Sequence, residues 1–198
     1  GAWRTVRGQT SPSLQVPVLP VLAPSRAPAP PPTLGAGATV YALPPLTKLD
    51  PVTGKGRGDA VARDVAKGNP LWDAAGRRIM LHAARGEITS FQLVVDGPVA
   101  KGQLALSGFP AGSGRIWRTW YVAGLAEYAL PGDGSFTVPM PDNGIANQRI
   151  QTFTVDIHVP TSAPVGLHTG KLVVEGNSRT VTLGVRVQVH TATLPDTT

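Results

Sequence analysis

Three polar side chains near the C-terminal end have the types of a metal set. Asp156 and His158 stand two residues apart in Thr152-Phe-Thr-Val-Asp-Ile-His158, and His190 ends a later alternating run. One carboxylate and two imidazoles suit zinc if their strands are neighbours. A solvated polar face is the simpler reading, and no metal is expected. Glycoside hydrolysis would need two carboxylates roughly 5 to 10 Å apart. Glu127, Asp133 and Asp142 lie close enough in sequence to supply them. Their turn surroundings favour local backbone hydrogen bonds instead. His82, inside an apolar strand, reads as a hydrogen-bonded core or rim histidine rather than a base. Arg85 and Glu87 flank Gly86, where Glu87 is expected to accept backbone hydrogen bonds and order a turn. Gly54-Lys-Gly-Arg-Gly-Asp59 is a basic glycine loop, but it lacks the spacing and preceding strand of a P-loop. No G-x-S-x-G elbow occurs. No catalytic residue is assigned and no cofactor is expected. Trp117 and Tyr121 share the parity of one strand and form a candidate platform for stacking a sugar. Two core aromatics is the simpler reading of that pair, and Trp120 has the opposite parity.

These residues must be positioned by strands. Phe153, Val155, Ile157 and Val159 alternate with Thr152, Thr154, Asp156 and His158. Val181, Leu183, Val185, Val187 and Val189 alternate with Thr182, Gly184, Arg186, Gln188 and His190. A period of two puts one face in a core and the other in water. Ala38–Leu43, 78–84, 88–96, 102–107 and 115–122 read as further strands, with 78–84 and 88–96 paired about a tight connection. Pro131-Gly-Asp-Gly134 and Pro141-Asp-Asn-Gly144 are turn signals, and Gly176-Asn177 leads into the last strand. Asp59 to Lys67 has the caps of a short helix. The fold class is all-β: an antiparallel β-sandwich of about 7–9 strands with Greek-key connections.

Composition narrows the classes. The chain has 198 residues, 41% hydrophobic and 15% charged, with 23 Gly, 20 Pro and no Cys. Absent cysteine excludes disulfides, thiolate metal sites and a Cys nucleophile. The net charge is +6, and no acidic residue precedes Asp50. The cations are too dispersed for a nucleic-acid surface, so none is expected. No apolar run is long enough to span a bilayer.

Residues 1–35 form an extended proline-rich arm, and residues 36–198 the sandwich domain. The arm centres on Val16-Pro-Val-Leu-Pro-Val-Leu-Ala-Pro24 and Ala27-Pro-Ala-Pro-Pro-Pro32. Closely spaced prolines favour polyproline II and cannot join a central strand. Val16, Pro17, Leu19, Pro20, Leu22, Pro24, Arg26 and Pro30 are the expected partner-binding residues, their apolar area holding the arm to a neighbouring protein.

Three blocks carry a family resemblance: Val40-Tyr-Ala-Leu-Pro-Pro-Leu-Thr-Lys48 with Asp50; Leu81-His-Ala-Ala-Arg-Gly-Glu-Ile-Thr-Ser-Phe-Gln-Leu-Val-Val95; and Val155 to Val174, running on to Thr193-Leu-Pro-Asp-Thr197. Residues 38–197 resemble the N-terminal β-sandwich of glycoside hydrolase family 123 and its relatives. The resemblance implies the sandwich. It also implies that the catalytic Asp-Glu pair belongs to a following barrel, and no adjacent Asp-Glu pair occurs in this sequence. His168 stands where the family often has Tyr in a G-x-Y-x-G turn, so a ligand contact is not carried over there.

The expectation is a non-enzymatic structural or interaction subunit. It would dock through arm and sandwich onto protein subunits of a larger extracytoplasmic assembly, respiratory or photosynthetic for example, peripheral to a membrane and including membrane-embedded partners. The alternative is an accessory or carbohydrate-binding N-terminal domain of a glycoside hydrolase, with Trp117 and Tyr121 as its platform.

Overall fold

The computed structural model describes residues 28–56, 65–122, 126–141 and 143–195, with the side chains of all but 126–128. Val16, Pro17, Leu19, Pro20, Leu22, Pro24 and Arg26 of the arm lie outside these residues, as do Asp59 and Asp142. The described residues form twelve strands in two six-stranded sheets. The first sheet runs β1 (Thr33–Gly35), β2 (Ala38–Leu43), β5 (Ile88–Asp96), β10 (Ile150–His158), β7 (Gly114–Val122), β8 (Ala126–Pro131). The second runs β3 (Trp72–Asp73), β4 (Arg78–Arg85), β12 (Arg179–Thr193), β11 (Gly166–Gly176), β6 (Val99–Ser107), β9 (Ser135–Val138). The all-β sandwich is as the alternating sequence predicts, but with twelve strands among the described residues rather than about 7–9, because short strands such as β1, β3 and β9 add to the long ones.

The core is the apolar parity of the long strands. Phe91, Leu93 and Val95 of β5 and Phe153, Val155 and Ile157 of β10 are buried. So are Leu172 and Val174 of β11, and Val181, Leu183, Val185, Val187 and Val189 of β12. Phe136 of β9 meets Phe153 edge to face across the layers, ring centres 5.2 Å apart. Gly102 makes room for Phe136: a Cβ there would stand 2.3 Å from the ring.

Several elements differ from the sequence reading. β4 and β5 are not a hairpin. They belong to different sheets, and Arg85-Gly86-Glu87 carries the chain from one layer to the other. Gly86 takes a φ of 80° there, and Glu87 Oε2 accepts from the Ala84 amide at 2.7 Å, the turn-ordering role expected of it. The Gly86 amide donates to Val159 O and the Val159 amide to Glu87 O, each at 2.8 Å, so the crossing is laced to the end of β10. Freed from β5, β4 pairs with β12 in parallel, Ile79 opposite Val185 and Leu81 opposite Val187. Not every ladder is antiparallel, as a reading by chain order assumes. Thr33–Gly35, assigned to the arm, is a strand on β2. The expected helix is a single 3-10 turn, Val65–Lys67, within the described residues. The turn into the last strand is Asn177-Ser178, at φ of 50° and 59°, with Gly176 still in β11. Gly166 to Gly170 is no turn but the start of β11.

β10 also departs from a simple two-faced strand. Lying between β5 and β7, it buries Gln151 and Thr152 along with its apolar side chains. Gln151 Nε2 donates to Thr119 O at 2.7 Å, and the Thr152 hydroxyl pairs with Tyr121 Oη at 2.7 Å. No helix among the described residues is long and apolar enough to cross a membrane.

Candidate functional site

β7 carries Trp117 and Tyr121. It hydrogen-bonds β10 on one side, Trp117 opposite Thr154 and Arg115 opposite Asp156. On the other side it pairs β8, with Trp117 opposite Pro131. β5 places Ser90 opposite Asp156. Cross-strand neighbours on one face touch, so these registers bring Ser90, Asp156 and Trp117 together. Ser90 Oγ donates to Asp156 Oδ1 and Trp117 Nε1 to Oδ2, both at 2.6 Å. Asp156 is thereby a fastener for the Trp117 indole, not a metal ligand. The expected partner His190 is in the second sheet, so the three residues Asp156, His158 and His190 do not converge. Among the described residues no three His, Cys, Asp or Glu side chains lie close enough to hold a metal.

Trp117 is also one of the residues lining a hollow of about 380 Å³, with Arg115, Leu106, Ile116 and Asp133. Its rim is the loop Gly132 to Gly134. Asp133 Oδ1 accepts from the Ser135 amide at 2.8 Å and from Ser135 Oγ at 2.7 Å. Those bonds hold the Asp133 carboxyl below the usual carboxylate range. Gln103 Nε2 donates to Asp133 O at 2.8 Å, tying the loop to β6. Tyr121, the other half of the expected platform, is only 2% exposed. Its hydroxyl is engaged with Thr152, and its ring offers no face for stacking; the shared parity is real, but the neighbouring strands cover it. Burial of Tyr41 on β2 raises its phenol far above the ordinary range. The polar face of the first sheet is thus a partly closed layer, not an open platform.

A second hollow, about 580 Å³, has Ser135, the residue after the loop Gly132 to Gly134, in its lining. Lys101, Arg118 and Arg179 line it with Glu175 and the hydroxyls of Ser135 and Thr137. Arg118 stands 5.8 Å from the Trp120 ring centre, a cation–π contact. Its Nε is buried and has no hydrogen-bond partner. Sequence reasoning missed Lys101, Arg118 and Arg179 because they come from three strands far apart in the chain. Arg115 was within reach, since it shares the parity of Trp117.

The remaining candidates fall out of the site. His82 is on the exposed face of β4, not in the core. Its Nδ1 meets His190 Nε2 of β12 at 3.0 Å. The ring planes are inclined by 16° with centres 5.3 Å apart. That N···N distance is shorter than ring faces approach, about 3.5 Å, so the rings meet edge to edge in a hydrogen bond rather than by stacking. Burial, then the charge of His190, lowers the His82 pKa. Arg85 Nη2 donates to Thr191 O at 3.0 Å and forms no ion pair with Glu87. His168 Nε2 bonds Pro164 O at 2.8 Å. Pro30, the arm residue that is described, is exposed. The Glu127 side chain, Asp142 and the Arg57-Gly58-Asp59 part of the basic loop lie outside the described residues.

No protein-family model and no curated protein sequence matches the chain. Among solved structures it is similar to a family 123 glycoside hydrolase from Clostridium perfringens, at 14% identity and a TM-score of 0.48. That match covers 60% of this chain and 24% of the hydrolase, so the chain spans about a quarter of that protein. It is also similar to the ASH/PapD-like domain 7 of human CEP192, at 11% identity and TM-score 0.32, covering 59% of this chain and 83% of the other. A third likeness is to AvmM, which catalyzes macrocyclization in alchivemycin A biosynthesis, at 11% identity and TM-score 0.33, covering 58% and 87%. The likeness to the hydrolase is one of related fold only, and it does not single out an N-terminal domain.

Proposed function

We propose that this chain is a non-catalytic carbohydrate-binding module, an accessory sandwich acting beside other domains or subunits on the extracytoplasmic side. The observation that carries the reading is Trp117. Its indole is fixed by Asp156, and the residue lines a hollow of about 380 Å³ together with Arg115 and Asp133. Sugars are held by an aromatic ring against their apolar face with a few polar groups at their hydroxyls. Arg115 and Asp133 supply donors and acceptors of that kind. The non-catalytic part is supported by how four of the described carboxylates are used. Asp156 takes Ser90 and Trp117, Asp133 takes Ser135, Glu87 takes a backbone amide, and Asp96 takes both Nε and Nη2 of Arg149. Carboxylates committed to local hydrogen bonds are poor acids or nucleophiles.

A glycan panel tests the proposal. The purified chain should bind at least one neutral or acidic oligosaccharide. Trp117→Ala should abolish that binding, while Trp117→Phe, which keeps a ring, should retain part of it. Absence of binding to every glycan, or binding untouched by Trp117→Ala in a folded variant, refutes the reading.

A further inference from the structure

We propose that the glycan is anionic, and that the groove lined by Lys101, Arg118 and Arg179 takes its carboxylate or sulfate groups; this rests on the carbohydrate reading above. Three cations face one carboxylate, Glu175, across about 580 Å³. The described ion pairs elsewhere are Arg78 with Asp73 and Arg149 with Asp96. Neither draws on a groove cation. Among the described residues the groove therefore keeps an excess of positive charge, even with the Asp133 carboxyl feeling the charge of Arg118, and such an excess favours an anionic occupant.

Arg118 makes the case more specific. Arg118 lines the groove, and a guanidinium is built to bind carboxylate or sulfate groups in a planar fork. The guanidinium lies over the Trp120 ring, a contact that favours one side of the side chain's range.

Position argues for a glycan over an acidic peptide. Asp133 and Gly134 line the Trp117 hollow, and the next residue, Ser135, lines the groove. One oligosaccharide crossing the loop would reach both. The hydroxyl-bearing residues Thr137, Ser178 and Thr180 are among the groove's lining and suit a ligand with many hydroxyls of its own.

Affinity electrophoresis tests this in gels containing polygalacturonate or chondroitin sulfate, with galactan and dextran as neutral probes and polyglutamate as a peptide polyanion. The wild-type chain should be retarded by an acidic glycan. The triple variant Lys101→Glu, Arg118→Gln, Arg179→Gln should lose at least about tenfold in that affinity, as expected for removing charge-assisted bonds. The single exposed change Lys101→Glu should give a smaller loss in the same direction, and it reports even if the Arg118 variant fails to fold. A control carrying Lys55→Gln, Arg77→Gln and Lys171→Gln, all exposed and away from the groove, should bind as wild type. The proposal is overturned if only neutral glycans bind, if the control loses as much as the groove variants, or if polyglutamate binds equally well. Failure of every glycan to bind would instead remove the carbohydrate reading itself.

Discussion

Removing the Asp156 carboxylate should loosen both the sheet and the site. In Asp156→Ala, Trp117 Nε1 and Ser90 Oγ lose the acceptor that each meets at 2.6 Å. A hydrogen bond to an ionised group contributes about 1.5–3 kcal/mol. The cluster is half-buried rather than enclosed, so solvent takes back part of that. The expected loss is about 2–4 kcal/mol, a melting shift on the order of 10 °C for a chain of this size. Asp156→Asn separates hydrogen bonding from bulk. Its amide oxygen still accepts from Trp117, and its NH₂ faces Ser90, whose hydroxyl can turn to accept. That variant should cost about 1 kcal/mol. Urea unfolding at neutral pH gives both numbers, with unchanged m-values showing that stability alone moved. Glycan affinity should fall in parallel in Asp156→Ala, because the indole is no longer held in place. An Asp156→Ala cost below about 0.5 kcal/mol, within the range of an ordinary surface change, would refute the fastening role. Equal costs for Ala and Asn would refute the hydrogen-bond account.

Other perturbations follow from the same geometry. Gly102→Ala puts a Cβ 2.3 Å from the Phe136 ring, so it should destabilise by about 1–3 kcal/mol in thermal melts; an unchanged melting temperature would mean that β9 is free to shift. Ser178→Gly should stabilise by roughly 0.5 kcal/mol, since Asn177 and Ser178 both have positive φ and an Asn-Gly pair suits that hairpin turn; a loss in urea midpoint would contradict this. His82 has a lowered pKa in the fold, so the unfolded chain takes up that proton first as pH falls below about 6.5. The pair's contribution is therefore complete above that value and lost as pH falls through the folded pKa. Urea midpoints between pH 8 and pH 5 should show this slope in the wild type and a flatter one in His190→Gln, and equal slopes would dismiss the pair as its source.

The core of the sandwich could be read from the chain because burial and period two coincide. Each apolar parity position of β10 and β12 is buried. What could not be read is which strands neighbour which. Arg85-Gly86-Glu87 has the composition of a hairpin turn, yet it crosses between layers. The deciding contacts come from Val159, more than seventy residues on, and no local rule contains them. The candidate site was half legible for a related reason. Trp117 and Tyr121 share parity, but only tertiary neighbours decide that Thr152 and the strands around it seal Tyr121 while Trp117 keeps an open side. The groove cations were invisible because Lys101, Arg118 and Arg179 meet only when β6, β7 and the β11–β12 hairpin come together.

The parallel joint between β4 and β12 has a consequence for the order in which the molecule can assemble. His82 and His190 across that joint are 108 residues apart. During synthesis β4 emerges early, and the neighbour available to it then is the two-residue β3. Its other edge, with Ile79, Leu81 and Ala83 destined for the core, stays bare until β12 has left the ribosome. Contacts of such long range are slow to form, and an open strand edge invites pairing with another chain. The first sheet can pair β5 with β2 much sooner. Nascent chains halted before residue 179 should therefore be aggregation-prone through β4, and completion of β12 is the step that closes the second sheet.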